Sequence, residues 1–291
     1  MNRPLDFFKL MRPHQWLKNG FVFTGLLFGH AWNDSQLVLH ILAAFAGFSL
    51  VASSIYTFND LLDKNQDKRH PEKKNRPLAA GRITTNAAIV WSLLLGVAGF
   101  SFGWFASTTV LAILVVYAVI NVAYSYRLKH VVILDVFIIA SGFMLRILAG
   151  TLGVDIPPST WLLLCGMMIT LFLGFAKRHA EIQMLESGSG KHRKVLAYYS
   201  RDMLDKFLVI TAACVIMSYS LYTMSVDTIA TQGTENLIYT VPFIVYAIFR
   251  YILVLQNGRG GSDPARDLPR DPHIVLSVIG WLVTTLWMIT A

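Results

Sequence analysis

Long apolar runs dominate the chain and predict membrane-spanning helices. A helix needs about 20 mostly apolar residues to cross the hydrocarbon core of a bilayer. Nine runs come near this length, with approximate limits 14–32, 37–58, 87–106, 108–126, 131–153, 160–176, 207–227, 238–256 and 273–290. Runs such as VLAILVVYAVI lack the apolar–polar alternation of transmembrane β-strands. The pattern predicts an all-α, polytopic membrane protein with nine transmembrane helices, forming one integral-membrane domain over residues 1–291.

Composition agrees with this class, because 55% of the residues are hydrophobic and only 14% are charged. The first apolar run follows several basic residues and has no small-residue cleavage site, so we expect no removable signal peptide. Cys165 and Cys214 both fall inside apolar runs. This placement favours two buried, small apolar side chains over a disulfide framework or a zinc site.

The basic residues predict the orientation in the membrane. If the amino terminus is cytoplasmic, the outward loops lie near Asn33, Ser107, Asp155 and Thr231, and none contains Lys or Arg. Of the 25 basic residues, 24 lie in the amino-terminal segment, the inward loops or the adjoining helix ends, and Arg146 is the exception. The positive-inside rule therefore predicts a cell (inner) membrane protein with cytoplasmic amino terminus and active-site loops and an outward carboxyl terminus. The net charge of +8 reflects this topology, and no nucleic-acid partner is expected.

The first inward loop begins with the acidic stretch NDLLDKNQD, in which Asn59 precedes Asp60, Asp63 and Asp67. On a continuous helix these spacings keep the three carboxylates within about 60° of one another. Oxygen ligands in this arrangement suit Mg²⁺, which usually binds few carboxylates together with substrate phosphates. A solvated helix end with salt bridges is the alternative explanation.

A basic run follows the acidic stretch and changes the balance between these two explanations. Its members are Lys68, Arg69, Lys73, Lys74 and Arg76. Metal-binding carboxylates beside a basic run are what a diphosphate requires, since it needs a bridging cation and direct cationic contacts.

The third inward loop is mainly cationic. Lys177, Arg178 and Glu181 lie within about one helical turn after the apolar run LFLGFA, and no second aspartate-rich motif follows. Some of this charge is explained by membrane topology alone. The cluster is nevertheless a candidate site for an anionic substrate group.

The short inward turn YSYRLKHVVILD leads into the fifth predicted span, which contains two ionisable residues. Asp135 lies about one turn past the loop, and Arg146 follows eleven residues later, on nearly the same face and about 16 Å deeper. An ionisable residue inside a membrane is a functional candidate by default. The alternatives for Arg146 are a hydrogen bond to a backbone carbonyl and an extended side chain that reaches the membrane surface.

Several of these segments resemble one family. NDLLDKNQD fits the NDxxDxxxD motif of the UbiA superfamily of intramembrane prenyltransferases, and RPHQWLKN, at Arg12 to Asn19, is similar to its opening segment. The resemblance covers essentially the whole chain. It implies a UbiA-like bundle of nine helices with aspartate-bearing cytoplasmic loops after the second and sixth.

The second half departs from the ordinary pattern of that superfamily, because AKRHAE replaces the second DxxxD motif. With YSYRLK and HRKVLAYYS, this change resembles a branch of decaprenyl-phosphate phosphoribosyltransferases. The branch implies Mg²⁺-dependent transfer from phosphoribosyl pyrophosphate (PRPP) to a polyprenyl phosphate in the bilayer, which supplies lipid-linked arabinose for cell-wall arabinan. PRPP carries two separated phosphate clusters, which matches one acidic and one cationic loop.

The resemblance implies a role for each candidate residue. The residues expected to act around the metal are Asn59, Asp60, Asp63 and Asp67, with the three aspartates as ligands. The residues expected to bind PRPP are Lys73, Arg76, Tyr126, Lys177, Arg178 and Glu181. The residues expected near the lipid phosphate are Lys18, Lys129, Asp135 and Arg146.

Two other functions remain open from the sequence. An aromatic or quinone prenyltransferase would keep the superfamily and use a prenyl diphosphate, although AKRHAE places cations where a metal-binding acid pair is needed. A transporter or lipid-binding protein would place charge near the bilayer midplane and show repeated halves, whereas only Arg146 lies deep and no repeat is visible. A homo-oligomer is compatible with the sequence.

Overall fold

The computed structural model describes residues 4–28, 31–69, 73–186, 194–258 and 268–290, and all regular elements in these ranges are helical. In chain order, the α-helices are α1 (Pro4–Met11), α2 (Thr24–Phe28), α3 (Ser35–Leu62), α4 (Lys64–Asp67), α5 (Thr85–Ala106), α6 (Thr108–Tyr126), α7 (Leu134–Ala149), α8 (Thr160–Glu186), α9 (Arg201–Met224), α10 (Val226–Gln232), α11 (Val241–Gln256) and α12 (Pro272–Thr290). Short 3₁₀ stretches connect several of them. The all-α prediction is confirmed.

The chain forms two compact units. The first unit comprises Met1–Tyr126 and Leu145–Pro157, and the second comprises Arg127–Met144 and Pro158–Ala291. Each unit contains its own cluster of buried apolar side chains.

Eight helical stretches in the described ranges are long and apolar enough to cross a membrane: Ser35–Leu62, Thr85–Ala106, Thr108–Tyr126, Leu134–Val154, Thr160–Glu186, Arg201–Met224, Asn236–Gln256 and Pro272–Thr290. They match eight of the nine predicted spans and confirm a polytopic membrane protein. The predicted count of nine helices is not confirmed, because the first predicted span, 14–32, has a different conformation.

That first span forms a 3₁₀ helix over Pro13–Phe23 and continues into α2. It runs antiparallel to α3, as three contacts along its length show: Arg12 with Asp60, Asn19 with Ser49, and Phe23 with Phe45. A 3₁₀ helix rises about 2.0 Å per residue and an α-helix about 1.5 Å, so the two stretches together cover roughly 30 Å. The segment therefore extends over about the thickness of a hydrocarbon core.

Close backbone contacts and buried polar groups distinguish this segment from an ordinary transmembrane helix. A Cβ atom on Gly25 would overlap the carbonyl oxygen of Gly150, and one on Gly150 would overlap the carbonyl oxygen of Val22. The buried Asn19 amide donates to Ser49 Oγ at 2.9 Å. Direct backbone contact and these polar bonds hold the segment, and an apolar run alone does not reveal such interactions.

Small residues join α3 to α5 in the first unit. The hydroxyl of Ser54 donates to the carbonyl oxygen of Ser92 at 2.7 Å, and the hydroxyl of Ser92 donates to the carbonyl oxygen of Ser54 at 3.0 Å. A Cβ atom on Gly99 would lie 3.0 Å from the carbonyl oxygen of Gly47. Small and hydroxylated residues are the usual means of close helix packing in membranes, where burial of apolar area gives little drive.

In the second unit, α8 packs along α9. The buried side chains Phe172, Phe175, Leu204 and Leu208 are part of its core. Of the two cysteines, Cys165 is partly buried and Cys214 is exposed on the surface of its helix, so the prediction that both are buried is wrong. Cys214 lies inside the apolar span α9, and apolar sequence does not distinguish helix packing from a lipid-facing position.

Candidate functional site

The acidic motif lies where α3 gives way to α4. Asp63 caps the end of α3 with φ −89° and ψ 2°, so the helix is interrupted there and the three aspartates do not share one continuous helix face. The expectation of a single carboxylate face is therefore wrong. Asp60 and Asp67 are each 3% exposed, whereas Asp63 is only partly buried. Burial thus separates two of the aspartates from the third.

Two guanidinium groups neutralise the buried aspartates. Arg76 Nη1 donates to Asp60 Oδ1 at 2.9 Å and to Asp67 Oδ2 at 2.7 Å. Arg12 Nη2 donates to Asp60 Oδ1 at 2.5 Å, and its guanidinium lies over the ring of Tyr56. We call these four charged residues, Arg12, Asp60, Asp67 and Arg76, the Asp60 cluster. Its two positive and two negative charges cancel.

The segment after the acidic motif is anchored by its apolar residues. Leu78 is fully buried and packs with Leu10 and Ile83. Arg82 donates to Asp6 Oδ1 at 3.0 Å, which ties the segment to α1. These contacts fix the backbone that follows Pro77 and so help to hold Arg76 beside the aspartates.

The Asp60 cluster offers oxygen donors suitable for Mg²⁺. Asp60 and Asp67 both approach one cationic nitrogen of Arg76, and the buried Asn59 Oδ1 has no hydrogen-bond partner among the described residues. Carboxylate and amide oxygens are ligands that Mg²⁺ accepts in proteins. Within the described ranges, however, no three His, Cys, Asp or Glu side chains are grouped as a metal site. Asp60, Asp67 and Asn59 therefore present the types of oxygen ligand that Mg²⁺ takes, and the three-aspartate ligand set stays a prediction.

Two further predicted PRPP contacts belong to the same unit. Tyr126 ends α6, is 58% exposed, and its ring lies 6.4 Å from that of Phe58, next to Asn59. Lys73 begins the 3₁₀ stretch Lys73–Asn75 and is partly buried. Residues 70–72 of the motif's continuation lie outside the described residues.

The end of α8, in the second unit, places a fully buried cation between two acids. Arg178 Nη1 donates to Glu181 Oε2 at 2.6 Å, and Arg178 Nε lies 3.5 Å from Asp135 Oδ2. Arg178 and Asp135 are both 0% exposed. Lys177, the neighbouring cation on α8, is partly buried. The structure thus brings Asp135 to Arg178, although the sequence assigned these two residues to different substrates.

Tyr199 completes this group, which we call the Arg178 cluster: Asp135, Arg178, Glu181 and Tyr199. The Tyr199 hydroxyl donates a hydrogen bond to Asp135 Oδ1 at 2.9 Å and accepts one from the backbone N–H of Ile133 at 2.6 Å. Burial raises the pKa of Tyr199, and the bonded Asp135 carboxylate raises it further, so the phenol keeps its proton at neutral pH.

The predicted lipid-phosphate residues are divided between the two units. Arg146 is buried in the first unit, where its Nε donates to Asn19 Oδ1 at 2.7 Å and its Nη2 donates to Tyr117 OH at 3.0 Å. Its guanidinium also lies over the rings of Phe48 and Tyr117. Lys18 is partly buried in the 3₁₀ helix Pro13–Phe23 of the same unit.

Lys129 and Asp135 belong to the second unit, whereas Lys18 and Arg146 belong to the first. Lys129 lies in the 3₁₀ turn Leu128–His130, which precedes α7. Asp135 contacts Tyr199 and Arg178, as described above.

The structure places two residues in these clusters to which the sequence assigned no specific role, Arg12 and Tyr199. Both lie in segments that the resemblance had marked, RPHQWLKN and HRKVLAYYS. Arg12 contacts a residue 48 positions away and Tyr199 one 64 positions away. Pairings over such distances have no local spacing signal. Residues 187–193, which include the start of HRKVLAYYS, lie outside the described part of the chain.

Comparison with known proteins agrees with this fold and with these motifs. The model of the UbiA prenyltransferase family matches residues 20–267. A decaprenyl-phosphate phosphoribosyltransferase of Mycolicibacterium smegmatis is 33% identical over 287 residues, covering 95% of this chain and 90% of the relative. The enzyme of the same name from Corynebacterium glutamicum is 33% identical over 279 residues, covering 94% of this chain and 83% of the relative.

Solved structures show the same fold at low identity. A UbiA homolog from Archaeoglobus fulgidus, bound to DMAPP and Mg²⁺, has a TM-score of 0.70 and 15% identity, covering 98% of this chain and 96% of that one. A digeranylgeranylglyceryl phosphate synthase has a TM-score of 0.68 and 19% identity, covering 100% of this chain and 98% of the other. Fold, motif and relatives agree: the chain belongs to the UbiA prenyltransferase family.

Proposed function

We propose that this chain transfers a 5-phosphoribosyl group from PRPP to a polyprenyl (decaprenyl) phosphate, with release of diphosphate. The product, a polyprenyl-phosphoryl 5-phosphoribose, would supply lipid-linked arabinose for a cell-wall glycan. The observation that carries the proposal is the fully buried Arg178 at the end of α8, where a prenyl-diphosphate enzyme of the superfamily needs a second acidic motif. The similarity to two phosphoribosyltransferases over nearly the whole chain supports the same conclusion.

The two clusters suit the two phosphate groups of PRPP. The Asp60 cluster combines buried carboxylates with guanidinium groups, which is the combination that a metal-bound diphosphate requires. Arg178 and Lys177 offer cationic groups, which suit a phosphate monoester. The acids Asp135 and Glu181 pair with Arg178, and in the described part of the chain they are not grouped as a metal site. Glu181 orients Arg178 through the bond at 2.6 Å.

Asp60 and Asp67, with Asn59, are the residues that would hold Mg²⁺, and Asp63 is a third candidate ligand. When bound, the ion supplies positive charge that stabilises the leaving diphosphate. Arg76 and Lys73 would contact diphosphate oxygens directly, and Tyr126 would contact PRPP at the edge of this unit. Because Arg76 contacts both aspartates, binding a diphosphate oxygen would require it to give up one or both of those bonds.

The chemical step is displacement at C1 of the ribose. A lipid phosphate oxygen forms a bond to C1 while the bond from C1 to the diphosphate oxygen breaks, and the diphosphate leaves with the electron pair. Attack opposite the leaving group inverts C1 and gives the β-linked product. A phosphate that is largely dianionic at neutral pH needs orientation more than a general base. Lys18, Lys129 and Arg146 are the cations proposed to neutralise it.

The proposal includes a cell (inner) membrane location with the amino terminus and both motifs on the cytoplasmic side, because PRPP is water-soluble. The Pro13–Phe23 stretch and α2 would provide a ninth crossing in addition to the eight long helices. With a cytoplasmic amino terminus, nine crossings would put the carboxyl terminus outside. Residues 1–291 would then act as one integral-membrane transferase domain.

A transfer assay tests the proposal. Purified protein in detergent is incubated with ribose-labelled PRPP, a polyprenyl phosphate and Mg²⁺, and the lipid is extracted into organic solvent. We expect label in the lipid phase only when Mg²⁺ is present. No transfer from PRPP, together with turnover of a prenyl diphosphate and an aromatic acceptor, would instead favour the aromatic prenyltransferase function.

A further inference from the structure

One hydroxyl group in the second unit connects the backbone before α7 to a buried carboxylate. Tyr199 is 6% exposed, and its oxygen lies 2.6 Å from the Ile133 nitrogen and 2.9 Å from Asp135 Oδ1. The Ile133 N–H can only donate, so the Tyr199 oxygen accepts that hydrogen bond. The Tyr199 O–H then donates a hydrogen bond to Asp135. The direction of both bonds is therefore determined by their partners.

The backbone that Tyr199 holds is strained. Ile133 has φ +67°, a left-handed conformation that a β-branched residue rarely adopts. Such a conformation persists only where surrounding contacts enforce it, and it occurs most often at functional sites. Asp135, in the first turn of α7, follows two residues later, so the strained turn sets where its carboxylate lies.

Asp135 in turn contacts a cation whose bonding is incomplete. Arg178 is held from one side by Glu181 at 2.6 Å and from the other by Asp135, whose Oδ2 lies 3.5 Å from Arg178 Nε. In the described part of the chain, Arg178 Nη2 has no hydrogen-bond partner although the whole side chain is buried. A buried guanidinium nitrogen without a partner is costly, and an anionic ligand would satisfy it.

We propose that Tyr199 is a positioning residue for phosphate binding, acting through Asp135 on Arg178. The inference rests on the proposed function, since it assumes that Arg178 Nη2 binds the phosphate monoester of PRPP. Tyr199 does not touch the substrate. Asp135 orients Arg178 in this assignment, which replaces the lipid-phosphate contact expected from the sequence.

The test compares two neighbouring tyrosines. Tyr199→Phe removes only the hydroxyl, and Tyr198→Phe is the matched control because Tyr198 is 72% exposed. We expect Tyr199→Phe to raise KM for PRPP about tenfold, the size of one lost hydrogen bond to a charged group, with KM for the lipid and kcat within about twofold. Tyr198→Phe should change none of the three.

A second comparison separates positioning from general destabilisation. In an Arg178→Lys background, Tyr199→Phe should raise KM for PRPP no further, because the hydroxyl acts through Arg178. Additive losses, or equal changes in KM for PRPP and for the lipid, would overturn the proposal. If the wild type transfers no label from PRPP at all, the proposed function fails instead, so the two failures are distinguishable.

Folding is checked independently of activity. Thermal unfolding with and without PRPP should show that PRPP raises the Tm of Tyr199→Phe less than that of the wild type. If Tyr199→Phe does not fold, the comparison is made in an Ile133→Gly background, since glycine adopts positive φ without strain. A PRPP-induced shift in Tm that does not depend on the Tyr199 hydroxyl in that background would contradict the proposal.

Discussion

Asp60 and Asp67 accept hydrogen bonds from the same atom, Nη1 of Arg76, at 2.9 Å and 2.7 Å. Seven positions separate the two aspartates, and the helix is interrupted between them at Asp63. Both carboxylates nevertheless reach one cation. This convergence places buried negative charge where a diphosphate-binding metal is expected, and it underlies the first two predictions.

Asp60→Asn should reduce phosphoribosyl transfer by at least about 100-fold, since it removes a charged metal ligand. Mn²⁺ binding, followed by electron paramagnetic resonance, should weaken in parallel. The matched control is Asp202→Asn, because Asp202 is an exposed residue that pairs with Lys206 on the surface of α9. The control should retain wild-type activity. Wild-type activity and Mn²⁺ affinity in Asp60→Asn would rule out the metal assignment.

Arg76→Ala should destabilise the metal-free protein, because it leaves two buried carboxylates without their shared cation. Removing one partner of a buried ion pair costs about 3 kcal/mol or more. Mg²⁺ should restore part of the loss, so the Tm of this variant should rise more with Mg²⁺ than that of the wild type.

Arg82→Ala is the control for that measurement. It breaks the ion pair with Asp6 in the same unit, away from the acidic motif. Its Tm should fall without an enhanced response to Mg²⁺. The same Mg²⁺-induced shift in Tm for Arg76→Ala, Arg82→Ala and the wild type would show that Arg76 and Mg²⁺ do not neutralise the same carboxylates.

Lys177→Ala should raise KM for PRPP by about tenfold or more, the size of one charge-assisted hydrogen bond, and leave KM for the lipid nearly unchanged. Steady-state kinetics with each substrate varied in turn measures both constants. Lys206→Ala removes an exposed cation on α9 and serves as the control. An unchanged KM for PRPP would show that Lys177 does not bind PRPP.

Tyr117→Phe should lower the stability of the protein, because Tyr117 is a hydrogen-bond partner of the buried Arg146. The variant removes the hydroxyl that accepts from Arg146 Nη2 at 3.0 Å and leaves a charged donor without that bond. We expect a loss of about 1.5–3 kcal/mol in unfolding free energy. Tyr239→Phe, at a tyrosine that is 66% exposed, should have no effect on stability. Equal stability of the two variants would mean that the Arg146 contact contributes little.

The sequence predicts most of the helices and the composition of both clusters. Hydropathy alone locates eight spans, because span length is set by bilayer thickness. It predicts neither the 3₁₀ conformation of Pro13–Phe23 nor the backbone contact between Gly25 and Gly150 that follows this stretch. That contact forms only in the folded chain, between residues 125 positions apart in the sequence.

The pairing of charges is also set by tertiary structure. Asp135 and Arg178 were both recognised as candidates, but their contact depends on how α7 meets α8, and the strained turn at Ile133 has no local sequence signal. Leu78 shows the same limit, because an apolar residue inside a charged loop can be buried or exposed, and here its burial fixes Arg76.

The most direct test of the central claim uses PRPP carrying one label on the ribose and another on the diphosphate. Purified protein is incubated with this substrate, Mg²⁺ and a polyprenyl phosphate, and the organic and aqueous phases are counted separately. We expect the ribose label to enter the lipid while an equal amount of diphosphate label stays in the aqueous phase as inorganic diphosphate. Diphosphate label in the lipid, or no transfer of ribose label while a prenyl diphosphate is consumed, would contradict it.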